Sequence, residues 1–157
     1  MQSLKLPQSL QSALSPLFKT LPLNQALKQL VVTQPQSPDL TALVGKLIGD
    51  PAIALNPALQ AALWLYVDEL DRSHDICQNI KTPDGSYLHG IMHRREGDFS
   101  NSHYWFHHVG TDHPVYDQID GYDAHAFIDE VKANPQDPRL VALQQAEWVA
   151  LVNHCIR

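Results

Sequence analysis

Asn56-Pro57-Ala-Leu59-Gln-Ala-Ala-Leu63-Trp-Leu-Tyr66-Val67-Asp-Glu-Leu70-Asp-Arg-Ser-His74-Asp-Ile-Cys77 is the stretch that decides the fold class. Asparagine supplies a capping oxygen, and proline suits the first helical position because the N–H it lacks would be unpaired there anyway. Leu59, Leu63, Tyr66, Val67, Leu70 and Cys77 follow at helical spacing and mark a broad apolar face. Such a face suits a central helix over about 57–80. Its second half turns acidic at Asp68, Glu69, Asp71 and Asp75, with His74 among them.

The flanks read the same way. Residues 1–58 hold seven of the eleven prolines, which cut the segment into short helices over about 9–20, 23–33 and 38–49. Leu10, Leu14 and Leu17 stripe the first, and Ser37-Pro38 opens the third ahead of Leu40, Leu43, Val44 and Ile48. Beyond the central helix, Lys81-Thr-Pro83-Asp-Gly85 reads as a terminating turn and Ser86 as the cap of a helix over 87–96. Ser100 or Asn101 caps another that runs to Val109, where Gly110 stops it. A short piece near 115–120 and a helix over 123–134 follow. Asp137-Pro138 starts a last helix carrying Leu140, Leu143, Ala146, Val149, Ala150 and Val152. No run alternates apolar and polar residues over more than four positions, so strands are not expected. The expected fold is all-α: one domain, 1–157, an irregular helical bundle. Short proline-punctuated helices form 1–55, a histidine-rich region 57–122 and C-terminal helices 123–157.

Bulk properties exclude several function classes. A chain of 157 residues with 44% hydrophobic and 18% charged residues has the size and composition of one globular domain. A net charge of −6 opposes an electrostatic grip on nucleic acid or an anionic membrane. The longest apolar run, Ala61 to Val67, is too short to span a bilayer, and the first residues lack the apolar stretch of a secretory signal. Cys77 and Cys155 sit in apolar helical patterns and read as buried free thiols, which suit a reducing cytoplasm.

Seven of the nine histidines fall between His74 and His113, a concentration that points to a site. On a wheel of ~100° per residue, His89, His93 and Glu96 share a ~60° arc of the helix 87–96. Two histidines at i, i+4 aim their rings at one point, the usual helical way to offer a metal two nitrogens. Gly90 follows His89 where the zinc-protease pattern has glutamate, so that pattern is absent. Glu96 lies ~10 Å along the axis from His89, which casts it as a base or as an orienter of a ligand. Asp71-x-x-His74 has the carboxylate-x-x-His spacing of bundle metal sites, so His74 is the expected third ligand. His113, before Pro114, is a further catalytic candidate; His103 and His107 make a second i, i+4 pair. His125 and His154 lie outside the dense stretch and are expected to be peripheral. Arg94 and Arg95 suit a guanidinium clamp on an anionic group, and Tyr104 and Trp105 suit its walls. Surface ion pairs and core aromatics are the plainer readings of these four.

The run Ser73-His74, Gly85-Ser86, His89-Gly-Ile-Met-His93-Arg-Arg-Glu-Gly-Asp98, Asn101, Tyr104-Trp105 and His113-Pro114 resembles a family of uncharacterised proteins, over about residues 60–115. The resemblance marks the motif as a site and implies no particular activity. The leading expectation is a hydrolase or lyase acting on a small anionic substrate, with a divalent metal (Zn, Fe, Mn or Ni) as cofactor. A metal-free pocket in a non-catalytic ligand-binding protein and an assembly protein are the alternatives. The expected partners are a small anionic ligand and, as an assembly option, a second copy in a homodimer, with no nucleic acid and no membrane.

Overall fold

The computed structural model describes residues 2–157, and among them it contains eight α-helices, one 3-10 helix and no strand. In chain order these are α1 (Gln8–Thr20), α2 (Pro38–Leu47), α3 (Pro57–Tyr66), α4 (Leu70–Cys77), α5 (Pro83–Glu96), α6 (Phe99–Val109), the 3-10 helix (Pro114–Gln118), α7 (Ala124–Ala133) and α8 (Pro138–Cys155). The all-α reading holds. One apolar core runs through α1 to α7 and α8, and a small satellite cluster of Leu30, Phe127, Val131 and Leu140 sits beside it. Among the described residues no helix is long and apolar enough to cross a membrane.

Helix α3 is the centre, with Leu59 and every residue from Ala61 to Val67 buried. Asn56 caps it by accepting from the Leu59 N–H at 3.0 Å, and Asp137 caps α8 by accepting from the Arg139 N–H at 2.9 Å. The indole N–H of Trp148 on α8 reaches the Ala62 carbonyl at 2.8 Å, and the Ser73 hydroxyl on α4 reaches that of Ala61 at 2.9 Å. The two helices flanking α3 are therefore pinned to its backbone.

Three sequence expectations fail, the first two for a tertiary reason and the third for a local one. The helix foreseen over 57–80 breaks between α3 and α4, where Asp68 takes φ +63°. The guanidinium of Arg95 sits in the break, donating to the Leu65 carbonyl at 2.8 Å, the Asp68 carboxylate at 2.6 Å and the Gln29 carbonyl at 3.0 Å. A buried cation needs such acceptors, and the chain bends to supply them.

The helix foreseen over 23–33 does not form. Its carbonyls are spent on side chains elsewhere: Gln144 donates to Leu27 and Gln29, Gln145 to Ala26, and Arg95 to Gln29. Leu27 has φ +61°, which is incompatible with a helix.

Helix α5 starts four residues before 87. Pro83 and Gly85 open the helix where a terminating turn was expected, with Pro83 at its first position after Thr82. Gly85 is required there because a Cβ would lie 2.1 Å from the Ile80 carbonyl oxygen. Gly97, at φ +85°, closes α5, and Asp98 takes the capping role on α6 foreseen for Ser100 or Asn101. Helices α5 and α6 approach closely at Gly90, where a Cβ would meet the Phe106 ring at 2.6 Å and whose carbonyl accepts from the Ser102 hydroxyl at 2.7 Å. This approach brings Trp105 over His89.

Candidate metal centre

His74, His89 and His93 each offer a ring nitrogen, and these nitrogens lie within 4.8 Å of one another. The i, i+4 spacing on α5 sets two rings side by side, their centroids 4.8 Å apart and their planes 20° from parallel. His74 comes from α4, edge-on to both, at centroid distances of 4.7 Å from His89 and 5.7 Å from His93. The break at Asp68 is what turns α4 so that His74 meets α5. On its other face His89 stacks on Trp105 at 3.8 Å and 13°.

The hydrogen bonding suits a ligand set. Glu96 Oε1 lies 2.7 Å from His93 Nδ1, so in the neutral ring the proton sits on Nδ1, donated to the carboxylate, and Nε2 keeps its lone pair. A carboxylate on the far nitrogen is the usual partner of a metal-bound histidine. Glu96 is thus placed to orient the His93 ring. Burial, with His93 and His74 beside it, pushes His89 down to about 4, so its ring is neutral at pH 7. A tetrahedral ion bound at ~2.0–2.1 Å needs its donors ~3.3 Å apart, inside the 4.8 Å limit within which these nitrogens lie.

Two other donor groups fare less well. His93, Glu96 and Asp98 converge, but the His93 nitrogen on that side is held by Glu96, and Asp98 caps α6. Asp84, His113 and His154 also converge, with Asp84 Oδ1 at 2.8 Å from His113 Nε2 and 3.0 Å from His154 Nε2. There the buried Val115 N–H donates to His113 Nδ1 at 3.2 Å, so Nδ1 is bare and Nε2 carries the proton given to Asp84. Loading a metal on Nε2 would force that proton onto Nδ1, against the Val115 N–H. This group is a hydrogen-bonded tie between α5, the loop before the 3-10 helix and the end of α8.

Several foreseen site residues are therefore reassigned. His113 belongs to this tie and not to the histidine cluster. Arg94 and Arg95 are fully buried, with no face for an incoming anion. Arg94 makes a two-pronged pair with Glu147 on α8, at 2.7 and 3.1 Å, and Arg95 pairs with Asp68. Neither is a clamp: both guanidinium groups are sealed in the core against carboxylates, and although each Nε–H lacks a partner, no ligand can reach it. Tyr104 is 53% exposed and leans on Trp105 and His108, outside the cleft described next. Burial pushes the Cys77 thiol up to about 12, which keeps it a packing residue.

His89 and Trp105 form one wall of a cleft of about 280 Å³, whose other walls include Lys81, Thr82, Ser86 and His108. Lys81, Ser86 and His108 were not foreseen. Ser86 and His89 are one turn apart on α5, which reading Pro83 as a helix start would have shown.

No protein-family model, curated protein or solved structure matches this chain. What the site does is read from its geometry.

Proposed function

We propose that His74, His89 and His93 bind one divalent transition metal, and that the protein is a metal-dependent hydrolase or lyase acting on a small anionic substrate in the cleft beside His89. One observation carries the reading: three histidines from two helices converge, one is oriented by a carboxylate, and no hydrogen bond claims the side chains of the other two among the described residues. A metal held by three neutral imidazoles keeps a position open and lowers the pKa of a water there to near 7. The protein's part is positioning. Trp105 and His93 hold the His89 ring between them, Glu96 fixes the tautomer of His93, and Lys81 and Ser86 face the substrate's anionic group in place of Arg94 and Arg95.

Elemental analysis of the purified protein, with titration of Zn²⁺, Fe²⁺, Mn²⁺ and Ni²⁺ into chelator-treated samples, tests the metal. One equivalent per chain is expected, lost in His93→Ala and His74→Ala while circular dichroism stays that of a helical protein. A wild-type protein that binds none of the four ions refutes the centre. Assay of the loaded protein on small carboxylate and phosphate esters then tests the reaction; metal bound without turnover on any of them refutes the hydrolytic part.

A further inference from the structure

A second group of histidines lies on the other side of α6. His103 and His107, spaced like His89 and His93, do not converge on each other; both face His125 on α7. The His103 and His125 rings are parallel within 2°, yet their centroids are 5.0 Å apart, too far for a face-to-face stack. They meet edge to edge, and the 2.7 Å contact between their two Nδ1 atoms is a ring-to-ring hydrogen bond. His103 Nε2 lies 2.9 Å from the Asp129 carboxylate.

With both rings neutral, donor and acceptor counting fixes the protons. A carboxylate only accepts, so His103 carries its proton on Nε2 and leaves Nδ1 bare. The bond between the two Nδ1 atoms then needs its proton on His125, whose Nε2 is left with a lone pair. Burial, together with His103 and His107, holds His125 below the ordinary histidine value against the pull of Asp123 and Asp129. The ring is neutral at pH 7.

His125 and His107 line a cleft of about 430 Å³ between α6, residues 110–123 and the start of α7. Phe106 and Tyr116 supply aromatic wall, and Asp117 and Asp123 supply carboxylates. No lysine or arginine lines it. The Tyr122 hydroxyl is committed, accepting from Tyr87 and donating to Glu147. A space with two carboxylates, aromatic faces and a preset nitrogen acceptor complements a small organic cation that has N–H groups to give.

We propose that this cleft binds small primary amines, with His125 Nε2 accepting an ammonium N–H and with Asp129 and His103 setting the His125 tautomer. The site shares no residue with the metal centre, so the two proposals fail separately.

Nitrogen-15 NMR of histidine-labelled protein tests the preset. At pH 8, His125 is expected to carry its proton on Nδ1, and Asp129→Ala to convert it to a tautomer mixture. A proton on Nε2 in the wild type, or an unchanged tautomer in the variant, overturns the relay. Benzylamine, titrated against the same signals, is expected to shift His125 and His107 saturably, with benzyl alcohol and benzoate inert. Asp123→Asn keeps the α7 cap and is expected to weaken benzylamine about tenfold, the loss of one charge-assisted contact. No saturable shift, or equal binding of benzyl alcohol, overturns the amine site.

Discussion

The Arg94–Glu147 pair yields the sharpest test of how this fold is held. Arg94 is 0% and Glu147 1% exposed, so neither charge reaches water. Two guanidinium N–H groups meet the carboxylate, a third contact goes to Gln144 Oε1 at 3.2 Å, and the cation lies 4.1 Å from the Phe127 ring centroid. Tyr122 donates to the same carboxylate and itself accepts from Tyr87 at 2.8 Å. Glu147→Gln keeps the shape but leaves the guanidinium without a counter-ion and turns one amide N–H toward it. Removing one partner of a buried pair costs about 3–5 kcal/mol. For a domain of this length that is a fall of roughly 6–20 °C in Tm, against a total stability of roughly 5–15 kcal/mol. The Arg94→Met/Glu147→Leu double variant removes both charges and strands two neutral groups, the Tyr122 hydroxyl and Gln144 Oε1, each a loss of about 1–3 kcal/mol. It is expected to be more stable than Arg94→Met or Glu147→Leu alone, each of which leaves a buried charge unpaired. Urea unfolding followed by helical circular dichroism measures all five proteins: the wild type, Glu147→Gln, the two singles Arg94→Met and Glu147→Leu, and the double variant. A Glu147→Gln loss under ~1 kcal/mol, or a double variant as unstable as the sum of the singles, would refute the reasoning.

Gly90→Ala places a methyl 2.6 Å from the Phe106 ring and is expected to cost at least ~2 kcal/mol; Phe106→Leu in the same chain should recover part of it in the same urea assay. His89, ordinarily near 6.5 and held to about 4 in the fold, resists a proton that the unfolded chain accepts. Metal-free protein should therefore lose stability as pH falls from about 6.5 to about 4, and His89→Gln should flatten that slope; a flat wild-type profile would contradict it. Asp84, held below its ordinary value chiefly by its hydrogen bond to His113, contributes stability that is present above about 3.9 and lost as pH falls through its lower folded value. Asp84→Asn should lower Tm while leaving metal content unchanged, which separates the tie from the metal centre.

What was legible in the sequence was whatever depends on neighbours in the chain. The caps at Ser37, Asn56 and Asp137 and the stripe of Leu10, Leu14 and Leu17 are local and are found in place. The His89–His93 pairing is local too, because one helix sets it. The break at Asp68 was not legible, because its cause, Arg95, lies 27 residues further on. Arg94 and Arg95 misled for the same reason. Their partners are distant in sequence, and nothing adjacent distinguishes an arginine sealed in the core from one waiting for a ligand. The His103–His125 bond joins two helices across 22 residues and leaves no periodic trace.

Residues 93, 94 and 95 of α5 point three ways, roughly 100° apart. One turn of helix thus carries a donor for the proposed metal, a bolt to α8 and a bolt to the bend before α4. Rolling α5 to reposition His93 would tear out a sealed ion pair on either side, so the two donors of that helix stand as a fixed jaw. In the proposed metal-bound state the jaw that closes is His74, on an eight-residue helix that follows the bend. Ions should then be ranked by how far they ask α4 to travel, the shortest travel preferred, and in this proposal the work of closing falls on the short helix alone.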